Sequence, residues 1–145
     1  MENLNNAISV LKMKDFYFSN IFFEKADGFD AVTYDDSQLK FGFGKQKQID
    51  DNVLILKIQL KISIENDFNV ELQAVGKFEC DTSAIADDIK VWMLEKNAAA
   101  IMFPYIRSEI TLLTAQPNCK PIIIPPININ ALFEKMRQDE ANASN

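Results

Sequence analysis

The chain has 145 residues, 48% of them hydrophobic and 10% aromatic, which fits one globular domain large enough for a real core. Twenty-one Asp and Glu against fifteen Lys and Arg leave a net charge of −6, and no basic run exceeds two residues, so nucleic acid is not an expected partner. Met1 to Asn6 are polar rather than basic and then apolar, and no apolar run approaches membrane-spanning length, so a cytoplasmic protein without a signal peptide is expected.

Two apolar alternations between Ile8 and Glu24 change phase near Lys14 and Asp15, which predicts a long strand carrying a bulge. Leu39, Phe41 and Phe43 alternate with Lys40, Gly42 and Gly44 in a second strand. The strongest periodicity follows Val53. Leu54, Leu56, Ile58, Leu60, Ile62 and Ile64 are apolar while Lys57, Gln59, Lys61, Ser63 and Glu65 intervene, as in a strand with one buried face. Glu65, Asn66 and Asp67 form turns readily, and Phe68, Val70, Leu72 and Ala74 then resume the alternation, so the two segments read as an antiparallel hairpin. Gly76 is expected to bend the last strand.

From Thr82 or Ser83, a candidate N-cap, the period becomes helical: Asp87 and Asp88 suit the first turn, and Ile85, Ile89, Trp92 and Met93 recur on one side. Pro104 should kink this helix or start a second segment, and Pro117 with Asn118 should end it. Lys120 to Ile127 has neither period and reads as an extended connector rich in Pro and Ile. Ile129, Leu132, Phe133 and Met136 then fit a short amphipathic helix, capped by Asn128 or Asn130, before a polar tail.

Little here suggests catalysis. His is absent, the four glycines form no phosphate loop, and no enzyme activity, metal or cofactor is expected. The pairs Asp35–Asp36, Asp50–Asp51 and Asp87–Asp88 read as solvated turns and caps, and Cys80 and Cys119 as reduced thiols. The apolar excess says more. Nine of the eleven Phe fall in the first eighty residues, and around Phe22 and Phe23 both faces of a strand are apolar. Such a surface suits an oligomer interface, a groove for extended apolar polypeptide, or both.

Phe103, Pro104, Tyr105 and Arg107, followed by Pro126, Asn128, Asn130, Ala131, Leu132 and Phe133, resemble the SecB family of protein-export chaperones. Asn130 stands where that family usually has Asp. The resemblance extends, less specifically, back to the Asn20 to Glu24 strand. It implies an α+β fold, a single domain of residues 1–145 with a polar tail after about 138: a four-stranded antiparallel sheet, a long helix and a short C-terminal helix. It further implies a homotetramer, a dimer of dimers, acting as an ATP-independent holdase for non-native polypeptide clients that are handed to the SecA motor. Client-binding positions would be Phe41, Phe43, Ile122, Ile124, Ile127, Leu132, Phe133 and Met136, the last three serving either groove or core. SecA docking would use Asn20, Glu24, Asn69 and Glu71, of which only the two glutamates keep the family's residue type. The alternative within the family is a chaperone dedicated to one partner, such as an antitoxin.

Overall fold

A computed structural model describes residues 11–80 and 88–125, together with 131, 134, 135, 138 and 139. Four strands, β1 (Lys12–Lys25), β2 (Lys40–Asp50), β3 (Val53–Ile64) and β4 (Phe68–Glu79), form one sheet in the order β1-β4-β3-β2, antiparallel throughout. One long helix, α1 (Asp88–Thr114), packs on one side of it, chiefly against β4, β3 and β1.

The core follows from the alternation. Leu54, Leu56, Ile58 and Ile62 of β3 lie opposite Phe78, Gly76, Ala74 and Val70 of β4, and apart from the bare Gly76 their side chains point toward α1 and are buried. From the helix, Leu94, Ala98, Met102, Ile106 and Ile110 recur every four residues and meet them. A 3₁₀ turn at Asp36–Gln38, capped by Asp35, punctuates the loop between β1 and β2. The β3–β4 hairpin closes through Asn66 at φ 60°, with the Asp67 amide donating to the Ile64 carbonyl at 2.9 Å.

The predicted bulge is present: the β1–β4 register shifts between Met13 and Asp15. A second shift, between Phe18 and Asn20, was not expected. It puts Ile21 and Phe23 on the helix side and Phe22 on the outer side, so β1 is apolar on both faces near its end. Gly76 departs from the expectation. β4 runs through it without a register shift against either neighbour, and a Cβ there would stand 2.7 Å from both Met102 Sδ and Phe78 Cε2. The missing side chain therefore lets α1 approach the sheet rather than bending the strand.

α1 continues through Pro104 as one helix. It ends at Thr114, ahead of Pro117 and an Asn118 at φ 58°. Ala131, Glu134, Lys135, Gln138 and Asp139 have helical backbone, while the apolar positions Ile129, Leu132, Phe133 and Met136, like the expected N-cap at Thr82 or Ser83, lie outside the described residues. Cys80 and Cys119 are free and buried.

Candidate functional site

β2 is an edge strand, and α1 lies mainly over the other three. Its residues facing the helix side are Phe41, Phe43, Lys45, Lys47 and Ile49, paired with Ile62, Leu60, Ile58, Leu56 and Leu54 of β3. Phe43 is half-buried against the core, whereas Phe41 is 57% exposed although its partner Ile62 is completely buried. An aromatic ring thus projects from the rim of the core into solvent, on the strand expected to touch clients.

The next positions along that row are charged. Lys45 Nζ lies 2.5 Å from Glu95 Oε1 and Lys47 Nζ 3.1 Å from Glu95 Oε2, with the Glu95 side chain only 1% exposed. A buried carboxylate is costly unless paired, and here two ammonium groups from β2 hold it in the middle of α1. This cluster was not foreseen. Its signal was present in the phase of β2, where Lys45 and Lys47 fall on the same odd positions as Phe41 and Phe43.

The connector after α1 does not offer its isoleucines as expected. Ile122 and Ile124 are 5% and 3% exposed and belong to the core, while Ile123 between them is 76% exposed. Hydrogen bonds fix this orientation. Thr114 Oγ1 accepts from the Ile122 amide at 2.8 Å, Thr111 Oγ1 donates to the Ile122 carbonyl at 2.9 Å, and Arg107 Nε donates to the Ile124 carbonyl at 3.0 Å. Upstream, the Lys120 amide donates to the Ala31 carbonyl at 2.9 Å. Lys120 Nζ donates to the Tyr34 carbonyl at 2.6 Å, pairs with Asp36 at 2.9 Å and sits 4.1 Å from the centre of the Tyr34 ring. Burial pushes the Tyr34 hydroxyl up to about 12. The connector is therefore strapped to the helix and to the β1–β2 loop, with its outward residue at 123.

The other expected set lies on the outer face of the sheet, away from α1. Glu24 pairs directly with Asn69, Asn20 with Gln73, and Phe22 with Glu71. The structure thus brings Asn20, Glu24, Asn69 and Glu71 together around the 37%-exposed Phe22. Glu71 is already engaged by Lys61 of β3 at 3.5 Å. A recess of about 370 Å³ opens beside Glu24, Ser63, Glu65 and Asn69, and the Asn69 Oδ1 atom is buried there without a partner. The positions expected at 127, 132, 133 and 136 lie outside the described residues. Among the described residues no group of acidic or Cys side chains could hold a metal ion, and no helix is long and apolar enough to cross a membrane.

Comparison with known proteins agrees with this architecture. An uncharacterised protein of Methanocaldococcus jannaschii is 35% identical over 69 residues, covering 48% of this chain and 43% of that protein. A protein-export protein SecB of Methylobacillus flagellatus is 26% identical over 92 residues, covering 63% of this chain and 57% of that one. The chain thus spans about half the length of these relatives. In three dimensions it superposes on a Mycobacterium tuberculosis SecB-like chaperone, solved in complex with a peptide from an antitoxin, with a TM-score of 0.66 over 88% of this chain and 92% of that one, at 12% identity. The family model for preprotein translocase subunit SecB matches residues 5–140 of the chain. The chain belongs to the SecB family.

Proposed function

We propose that this chain is an ATP-independent cytoplasmic holdase that keeps non-native polypeptides from aggregating by covering their apolar segments along the rim of β2. Phe41, 57% exposed on an edge strand, carries the reading, with Phe43 beside it. Family membership supports a chaperone role, and the fold neighbour was solved holding a peptide. Burying apolar client surface contributes about 25 cal/mol per Å², so a few side chains give reversible binding. Ile122 and Ile124 are buried and serve the core, and Ile127, Leu132, Phe133 and Met136 remain candidates to extend this surface.

The assembly proposed is a tetramer. Met93, Ile101, Tyr105 and Leu112 are exposed apolar residues recurring along α1, a helix face suited to burial against further copies. Light scattering is expected to give a particle four times the 16.5 kDa chain, and a monomer at all concentrations would contradict it. Handover to SecA would use the outer-face group of Asn20, Glu24, Asn69 and Glu71. The engagement of Glu71 by Lys61 lowers the free acidic charge there and favours a second reading, a chaperone dedicated to one partner such as an antitoxin.

One assay separates these. The purified chain, without nucleotide, is expected to suppress aggregation of several unrelated unfolded proteins, and Phe41→Ser to lose most of that protection. Protection of a single partner only would select the dedicated reading, and no protection of any protein would remove the holdase.

A further inference from the structure

The charges of this acidic chain are not evenly spread over the sheet. The β2–β3 ribbon carries five lysines and a single acid, Asp50, at the far end of β2. Two of the lysines, Lys45 and Lys47, face the helix and are engaged with Glu95. The other three, Lys40, Lys57 and Lys61, lie on the outer face, as the pairings of Lys40 with Ser63, Lys57 with Gln46 and Lys61 with Gly42 require. All three are exposed; Lys61 lies 3.5 Å from Glu71 and would exchange that partner, whereas among the described residues no carboxylate lies within ion-pair distance of Lys40 or Lys57. The β1–β4 half of the same face mixes Asp15, Glu24, Glu71 and Glu79 with Lys12 and Lys77.

On the β2 side the floor between these lysines lacks side chains, while Gln59 stands between Lys57 and Lys61 on β3. Gly42 and Gly44 occupy the outer-face positions of β2, and a Cβ on either would meet only Lys61 or Gln59 atoms at 3.7 Å or more. A recess of about 160 Å³ results, lined by Gly44, Lys45, Gln46, Lys57, Gln59 and Gln73. Apart from the charges, its walls offer side-chain amides, which donate to and accept from a peptide main chain.

The geometry points to the outer face of the β2–β3 ribbon as a docking surface for an extended acidic polypeptide segment, with Lys40, Lys57 and Lys61 pairing its carboxylates and Gly42 and Gly44 admitting its main chain. The spacing is that of a strand. Lys57 and Lys61 stand about 13 Å apart along β3, the separation of carboxylates four residues apart in an extended chain. Nucleic acid fits less well, because the patch has no arginine and no aromatic side chain for stacking. The inference does not rest on the holdase reading, which concerns the opposite face.

The test is fluorescence anisotropy with the full chain and a labelled peptide carrying Glu at alternate positions separated by Ser, beside a second peptide with Lys in place of Glu. The Glu peptide is expected to bind, to weaken as salt is raised, and to lose about tenfold or more in affinity with Lys57→Glu/Lys61→Glu. Gly42→Val/Gly44→Val keeps every charge, fills the floor with residues that suit a strand, and is expected to weaken binding as well. Phe41→Ser should leave it unchanged while losing most holdase protection, so the two proposals fail separately. Equal binding of the Lys peptide, or unchanged binding by the lysine variant, overturns the inference. Displacement by single-stranded DNA of the same charge at equal concentration would also overturn it, by showing a general polyanion site.

Discussion

Lys45 and Glu95, fifty residues apart in sequence, meet at 2.5 Å across the interface of β2 and α1, with side chains 9% and 1% exposed. Neither is placed by local structure. Their contact joins an edge strand to a helix that otherwise packs against the other three strands.

Removing one partner of such a pair leaves a buried charge. Glu95→Ala is expected to destabilise the fold by about 3–5 kcal/mol, read from denaturant midpoints. The double variant Lys45→Met/Glu95→Leu should recover much of that loss, because the buried charges go together and Lys47, 43% exposed, can turn to solvent. Additive losses in the double variant would mean that the pair is not coupled.

The strapped connector separates stability from surface. Ile124→Ala should cost about 2–5 kcal/mol, as for a buried aliphatic residue, whereas Ile123→Ser should change stability by no more than about 0.5 kcal/mol. The thermal unfolding of the two variants decides it. Equal effects would show that the orientation set by Thr111, Thr114 and Arg107 is not kept in solution.

Gly76→Ala places a methyl group 2.7 Å from Met102 Sδ and Phe78 Cε2, which pushes α1 from the sheet. A loss of about 1–3 kcal/mol is expected, smaller when Met102 is also changed to Ala and the space is returned. A neutral Gly76→Ala would show that the helix shifts freely.

Tyr34 titrates from 10.0 up to about 12, mainly through burial, with the neighbouring Cys119 and Asp36 adding in the same direction. A folded-state pKa above the unfolded value keeps its stabilisation below pH 10 and loses it as pH rises toward 12. The Tm of the wild type should therefore fall over that window relative to Tyr34→Phe. Below it the two should differ by no more than about 1 kcal/mol, since the Tyr34 hydroxyl is buried without a hydrogen-bond partner. A constant difference from pH 9 to 12 would contradict the shift.

Much of this fold is legible in the residues themselves, and the limits have physical reasons. The β3–β4 hairpin could be read because a half-buried strand imposes period two, and Leu54 to Ile64 keep it apart from Ile55. The bulge near Lys14 showed as a break in that period. The one near Ser19 did not, because Ile21, Phe22 and Phe23 are apolar in either phase. Lys45 and Lys47 were hidden by their charge, which suggests solvent until the buried Glu95 is known. In the connector no periodicity exists to say which isoleucine faces inward, and the answer comes from Arg107, Thr111 and Thr114 on the preceding helix. The outer-face group of Asn20, Glu24, Asn69 and Glu71 follows from the resemblance to the SecB family and not from periodicity; β1 and β4 bring the four together.

The strand order has a bearing on synthesis. β2, β3 and β4 follow one another as a meander and can pair as each leaves the ribosome, but β1, made first, finds its place only beside β4, made last, with Lys12 opposite Glu79. Until then the nascent chain exposes Phe16, Phe18, Ile21 and Phe23 with no strand to join, so a protein proposed to shield others must itself pass through an aggregation-prone stage during translation.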